Sequence, residues 1–236
     1  MIVIGLTGSI GMGKSTTATL FRRLGVPVHD SDAAVHAMMR PGGEGVAAIE
    51  KAFPGVVSGG AVDRAKLGAR VFGDPPALRR LEAIVHPMVA RRTRAFLRAS
   101  RRARRPIVVL DVPLLLEGSG HRMCDLVAVV SAPAFVQRQR VLARPGMTPE
   151  RLSSILSKQM PDAEKRRRAD VVIPTGLGRA VAMRAVTRLV VGLRRHPGRS
   201  SERAKGTACA RSCSIRRRRA WTPTPATGSS RSAASS

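Results

Sequence analysis

Gly8-x-x-x-x-Gly13-Lys14-Ser15 sets two glycines, a lysine and a hydroxyl at the spacing that cradles a polyphosphate. An apolar, β-branched run (Ile2, Val3, Ile4, Leu6) leads into it, and a helix-compatible segment from Thr16 to Leu24 follows. Strand, glycine-rich turn and helix start are the context in which this pattern binds phosphate. Gly8, Gly11 and Gly13 permit backbone conformations and close approaches that a Cβ would hinder. The N–H groups of the turn and of the helix start can then point at a nucleoside triphosphate. In such a loop Lys14 reaches the β and γ phosphates and the Ser15 hydroxyl ligates Mg²⁺.

A phosphate loop alone does not separate motors, GTPases and kinases. His29-Asp30-Ser31-Asp32 closes the second apolar run and puts two carboxylates near the carboxyl edge of a sheet, where open α/β sheets bind ligands. A carboxylate there can accept a proton from an attacking hydroxyl or help to hold Mg²⁺. Each aspartate can equally be an Asx turn or a helix N-cap. Asp111 ends another β-branched run. No Asn-Lys-x-Asp guanine motif occurs, so a GTPase finds no support.

The elements that must position these groups are legible as alternation. Strands are expected at 2–7, 26–29, 107–111, 126–130 and 170–173, with helical patterns between them, which predicts a parallel sheet covered on both faces. A helix is expected from Pro133 to about Ala143, and another from Thr148-Pro149-Glu150, with Thr as N-cap and Pro in the first turn. Residues 44 to 103 show only helical patterns between turn signals at Pro54-Gly55, Gly59-Gly60 and 73–76. That is too long for an ordinary crossover and reads as a helical insert at the sheet edge, suited to a second substrate.

The 236 residues, 43% hydrophobic, suffice for one sizeable α/β core with a small insert. No apolar run is long enough to span a membrane, and the N-terminus lacks the basic and cleavage regions of a secretory leader. Cys124, Cys209 and Cys213 are scattered, which suits a reducing cytoplasm better than a disulfide framework or a zinc site. The formal charge of +27 invites a nucleic-acid reading. Against it, 36 arginines outnumber 6 lysines along most of the chain, a composition bias and not a focused patch, and no tyrosine is available for base stacking. No specific nucleic-acid partner is expected. Beyond about residue 198 Ser, Arg, Thr, Pro and Ala dominate, so 199–236 is expected to be a basic, disordered tail.

Together, Gly5-Leu-Thr-Gly-Ser-Ile-Gly-Met-Gly-Lys-Ser-Thr16, Val28-His-Asp-Ser-Asp-Ala33, Asp63-Arg-Ala-Lys-Leu67, Val71-Phe-Gly-Asp-Pro75, Leu81-Glu-Ala-Ile-Val-His-Pro87, Asp111-Val-Pro-Leu-Leu-Leu-Glu117, Gln137-Arg-Gln-Arg140, Thr148–Gln159 and Ala169-Asp-Val-Val-Ile173 resemble the dephospho-coenzyme A kinase family over about residues 1–190. The resemblance implies a P-loop kinase-type three-layer α/β fold with a five-stranded parallel sheet, a helical substrate-binding insert at about 44–103 and a lid at about 140–168, within a kinase domain spanning 1–198. It implies ATP and dephospho-coenzyme A as substrates, Mg²⁺ as cofactor, and a monomer or small homo-oligomer. Gly11, Met12, Gly13, Lys14, Ser15 and Thr16 would hold the phosphates, with Ser15 on Mg²⁺. Asp32 is the candidate to orient or deprotonate the acceptor hydroxyl, Asp111 a Walker-B-type acid holding a water on Mg²⁺, and Glu117 a loop anchor. Arg140 and Arg144, four apart and so on one helix face, would clamp the transferring group. His86 before Pro87 reads as a helix boundary, a buried histidine or an acceptor-pocket residue. Ile173-Pro-Thr-Gly176 departs from the family's I-x-N-x-G, which leaves Thr175 where an adenine-side Asn is usual.

Overall fold

A computed structural model describes residues 1–118 and 120–195; the expected tail lies outside the described residues. Five parallel strands form the main sheet: β1 (Ile2–Thr7), β2 (Val28–Asp30), β5 (Ile107–Asp111), β6 (Leu126–Ser131) and β7 (Val171–Pro174), in the order β2-β5-β1-β6-β7. Their registers pair Leu6 with Asp111, Asp30 with Asp111 and Thr7 with Val129, so the carboxyl ends of the strands share one edge. β1 and β6 are buried along their whole lengths, as befits inner strands covered on both faces.

The period of two in each strand divides the core. Ile2, Ile4, Leu6 and Val109 face α1 (Lys14–Arg23) and α9 (Arg179–Arg195), where Phe21, Val186 and Val190 complete the largest cluster. Val3, Val108 and Leu110 face the other way, onto Phe96 and Leu97 of the long helix α5 (Pro75–Arg102). A third cluster joins Leu115 and Leu116 to Val127 and Val129, with Met160 and Ala169 against it. Helix, sheet, helix is the expected three-layer arrangement.

Between β2 and β5 lie α2 (Ser31–Met39), α3 (Val46–Ala52), a hairpin of β3 (Val57–Ser58) and β4 (Ala61–Val62), then α4 (Arg64–Val71) and α5. The helical stretch thus begins before residue 44 and contains strand, contrary to the purely helical expectation. Gly59 (φ 58°) and Gly60 (φ 76°) make the two-residue turn that requires positive φ at both positions, and Asp63 receives the N–H groups of Ala65 and Lys66 to start α4. These elements bury a separate cluster: Ile49, Phe53, Val56, Val62, Leu67 and Ala77.

A second difference concerns Pro87, which does not end a helix. α5 runs straight past it, and Ala83, four residues back, lies on the exposed side, where water can take the carbonyl that Pro87 cannot serve. Downstream of β6 come α6 (Ala134–Leu142), α7 (Pro149–Ser157) and α8 (Asp162–Arg168). Thr148 caps α7 by accepting from Arg151 N–H at 3.3 Å, with Pro149 in the first turn, as the sequence predicts.

Candidate nucleotide and phosphoryl-transfer site

The loop leaves the central strand β1 and turns into α1 with Gly11 (φ 75°) and Gly13 (φ 88°) in the left-handed region. A Cβ on Gly11 would stand 2.5 Å from Val141 Cγ2 and 3.1 Å from the Gln137 carbonyl, so no other residue fits there. Gly13 is the N-cap of α1, with no side chain capping it, which leaves the helix-start amides toward the cleft. Met12 meets the site only through its backbone. Its side chain is buried in the main core, and its sulfur accepts from Ala132 N–H at 3.2 Å.

Lys14 stands between two carboxylates. Its Nζ is 2.7 Å from Asp111 Oδ1 and 3.9 Å from Asp32 Oδ2. Asp111, at the end of β5, is 1% exposed, and burial raises its pKa while the Lys14 hydrogen bond and charge pull it back. Asp30 and Asp32 divide two roles between them. Asp30 caps α2, accepting from Ala33 N–H at 2.9 Å, whereas the Asp32 side chain on the first turn is 62% exposed beside Lys14. Behind Asp30, His29 stacks on Phe96 and shares a hydrogen bond with Thr93 Oγ1 at 3.1 Å, and burial lowers its pKa.

A cleft of about 340 Å³ opens beside the loop, lined by Gly11, Gly13, Ser15 and Thr16 together with Arg140, Arg144, Thr175, Gly178 and Arg179. Arg140 is fixed by Nη2 donating to the Thr175 carbonyl at 2.7 Å. The two arginines do converge on the cleft, but not as neighbours on a helix face: α6 stops at Leu142, and Arg144 follows its C-cap. Arg179 was not singled out in the sequence. Its signal was available in the turn between the last strand and α9, a second strand-to-helix junction on the same sheet edge.

Two glutamines complete the loop. Gln137 Nε2 donates to the Ile10 carbonyl at 2.7 Å, and Ile10 N–H donates to Gln159 Oε1 at 3.1 Å. The arrangement can hold a polyphosphate on backbone amides, present a cation to its terminal groups, and set an exposed carboxylate beside them.

The sequence model of the dephospho-CoA kinase family matches residues 2–177. This chain belongs to that family. It is 66% identical over 166 residues to the dephospho-CoA kinase of Paramagnetospirillum magneticum, covering 70% of this chain and 78% of the relative. It is 59% identical to the Mesorhizobium japonicum dephospho-CoA kinase over 200 residues, covering 84% and 100%. A crystal structure from Thermus thermophilus superposes with a TM-score of 0.70 at 38% identity, covering 81% of this chain and 96% of that one.

The dephospho-CoA kinase segments occupy distinct places here. Glu117, which ends Asp111-Val-Pro-Leu-Leu-Leu-Glu117, pairs with Lys165 of α8 at 2.9 Å and accepts from Met160 N–H at 3.1 Å. Lys165 is fully buried. Glu117 therefore anchors its loop to α8. His86 is exposed mid-helix on α5, away from any helix boundary. Thr175 turns its hydroxyl inward to the loop.

Proposed function

We propose that this kinase transfers the γ-phosphoryl group of ATP to the ribose 3′-hydroxyl of dephospho-coenzyme A, the last step of coenzyme A synthesis. The observation that carries the reading is the Asp111–Lys14–Asp32 constellation at the mouth of the phosphate loop, in a chain of this family. Phosphoryl transfer needs positioning and charge neutralisation more than covalent chemistry. The amides from Gly11 to Thr16 hold the β and γ phosphates. Lys14, held by Asp111 and Asp32, moves its charge onto the triphosphate as it binds. Asp32 accepts the hydrogen bond of the 3′-hydroxyl and takes its proton as the new oxygen–phosphorus bond forms and the bond from the γ-phosphorus to the β,γ-bridging oxygen breaks, releasing ADP. Arg140 and Arg144 close on the equatorial oxygens of the transferring group.

Mg²⁺ fits the donors present. The Ser15 hydroxyl and the Asp111 carboxylate are hard oxygen ligands, and no cluster of three or more ligating side chains exists among the described residues. When bound, the ion neutralises charge on the β and γ oxygens. The elements from α2 to α5 take the acceptor, and the segment at about 140–168 closes as a lid.

An ADP-release assay with dephospho-coenzyme A, adenosine, nucleoside monophosphates and shikimate tests the acceptor. Dephospho-coenzyme A should give the highest kcat/KM by far. A better acceptor elsewhere in the panel overturns the reading.

A further inference from the structure

The phosphate loop has a side that does not face phosphate, and its polar atoms there are held from outside. Gln137 and Gln159 take the carbonyl and N–H of Ile10. The Met12 carbonyl, in the middle of the turn, is taken by Thr175 alone among the described side chains, whose Oγ1 donates to it at 2.7 Å. Thr175 is 7% exposed. Its hydroxyl has a single proton, and the other nearby acceptor, the Ser131 carbonyl, is farther off at 3.2 Å and already receives Thr175 N–H at 2.9 Å. On its other side the Thr175 carbonyl holds Arg140. The residue also sets the floor of the turn, because a Cβ on Gly13 would stand 3.3 Å from Thr175 Cβ.

We propose that Thr175 is a positioning residue for phosphoryl transfer, its hydroxyl locking the Met12 peptide so that the amides beyond it face the triphosphate, while its carbonyl aims Arg140 at the same phosphates. This rests on the phosphate loop's binding ATP and does not depend on the acceptor.

Thr175→Val keeps shape and the 2.7 Å carbonyl link to Arg140 Nη2 but removes the hydroxyl, and with it the longer 3.5 Å contact from Arg140 Nη1; Thr175→Ser restores the hydroxyl. Mg-ATP is titrated by calorimetry without acceptor, and KM is then measured for each substrate. The valine variant should bind Mg-ATP about tenfold more weakly, because a loop no longer held in place must be ordered as the triphosphate binds. KM for dephospho-coenzyme A should stay within about twofold, a split that general loosening of the fold would not give, since it would raise both. The serine variant should return the ATP affinity to near wild type. Thr175→Ala gives the same readout if the valine protein does not fold. Unchanged ATP affinity, an equal rise in both KM values, or failure of serine to restore binding overturns the proposal. The ATP titration decides this even if the wild-type chain prefers another acceptor.

Discussion

Lys14 has two jobs that pull apart on mutation. It offers charge to the γ-phosphate, and it neutralises Asp111, whose pKa is raised by burial while the Lys14 hydrogen bond and charge pull it back. Lys14→Ala should therefore lower kcat by about a hundredfold or more, since each ~1.4 kcal/mol of lost transition-state stabilisation is tenfold. Steady-state kinetics at saturating substrates check this, and near-normal turnover would contradict it. The fold should persist because Asp111 can take up a proton. The sign follows from linkage: a carboxyl whose folded pKa lies above its unfolded one binds more protons when folded, so the variant should regain stability relative to wild type as pH falls. The aspartates of α2 separate in the same way. Asp32→Asn should cut turnover far more than ATP affinity. Asp30→Asn should be mild, because asparagine caps a helix as well as aspartate does and the Asp30 carboxylate is already engaged by Ala33 N–H. If the Asp30 change proves more damaging at saturating substrate, the proton acceptor has been assigned to the wrong residue.

At the scale of elements, α8 is held to the loop after β5 by Lys165 and Glu117. Burial raises the Glu117 pKa, but the ion pair with Lys165 and the Met160 N–H outweigh it, and the net shift is downward. A lowered folded pKa means that this stabilisation is complete above the ordinary glutamate value of 4.5 and is lost as pH falls through the folded value. Lys165→Met should cost about 3 kcal/mol by urea unfolding at pH 7, for breaking a buried pair leaves one charge uncompensated. The gap to wild type should narrow as pH falls through and below the ordinary glutamate value of 4.5. A gap constant with pH would show that Lys165 stabilises only through its packed stem.

The strands that bear the loop and Asp111 were legible because both are long apolar runs ending in a residue that cannot continue them. The β3–β4 hairpin was not, since two residues per strand display no period, although Gly59-Gly60 carries the turn chemistry. Pro87 misleads for a different reason: its missing N–H matters little where the freed carbonyl faces water. The pairing of Arg140 and Arg144 emerged from the right cleft but the wrong geometry, because a helix end cannot be placed within two residues from pattern alone. The link from Thr175 to Met12 spans 163 residues and leaves no local mark.

For the whole molecule, the charge and the chemistry are separable. Residues 199–236 contain nine Lys/Arg and one Glu, a net of eight positive charges, and lack a periodic apolar face with which to dock. Truncation after residue 198 should leave turnover and thermal stability nearly unchanged while reducing retention on heparin. Loss of folding would make the tail an integrated part of the molecule. None of the described helices is long and apolar enough to cross a membrane. The five-stranded sheet brings the loop after β1, Asp111 at the end of β5, and Asp30 and Asp32 at the β2–α2 junction to one edge, and this convergence is what the sequence period encodes. Phosphoryl transfer forms its bond at one oxygen, and ³¹P NMR of a reaction containing the chain, Mg-ATP and dephospho-coenzyme A shows which. The γ-phosphate signal should disappear as a single new phosphomonoester appears on the ribose 3′-oxygen, matching authentic coenzyme A. Phosphate on another oxygen, or ATP consumed only to inorganic phosphate, would contradict it.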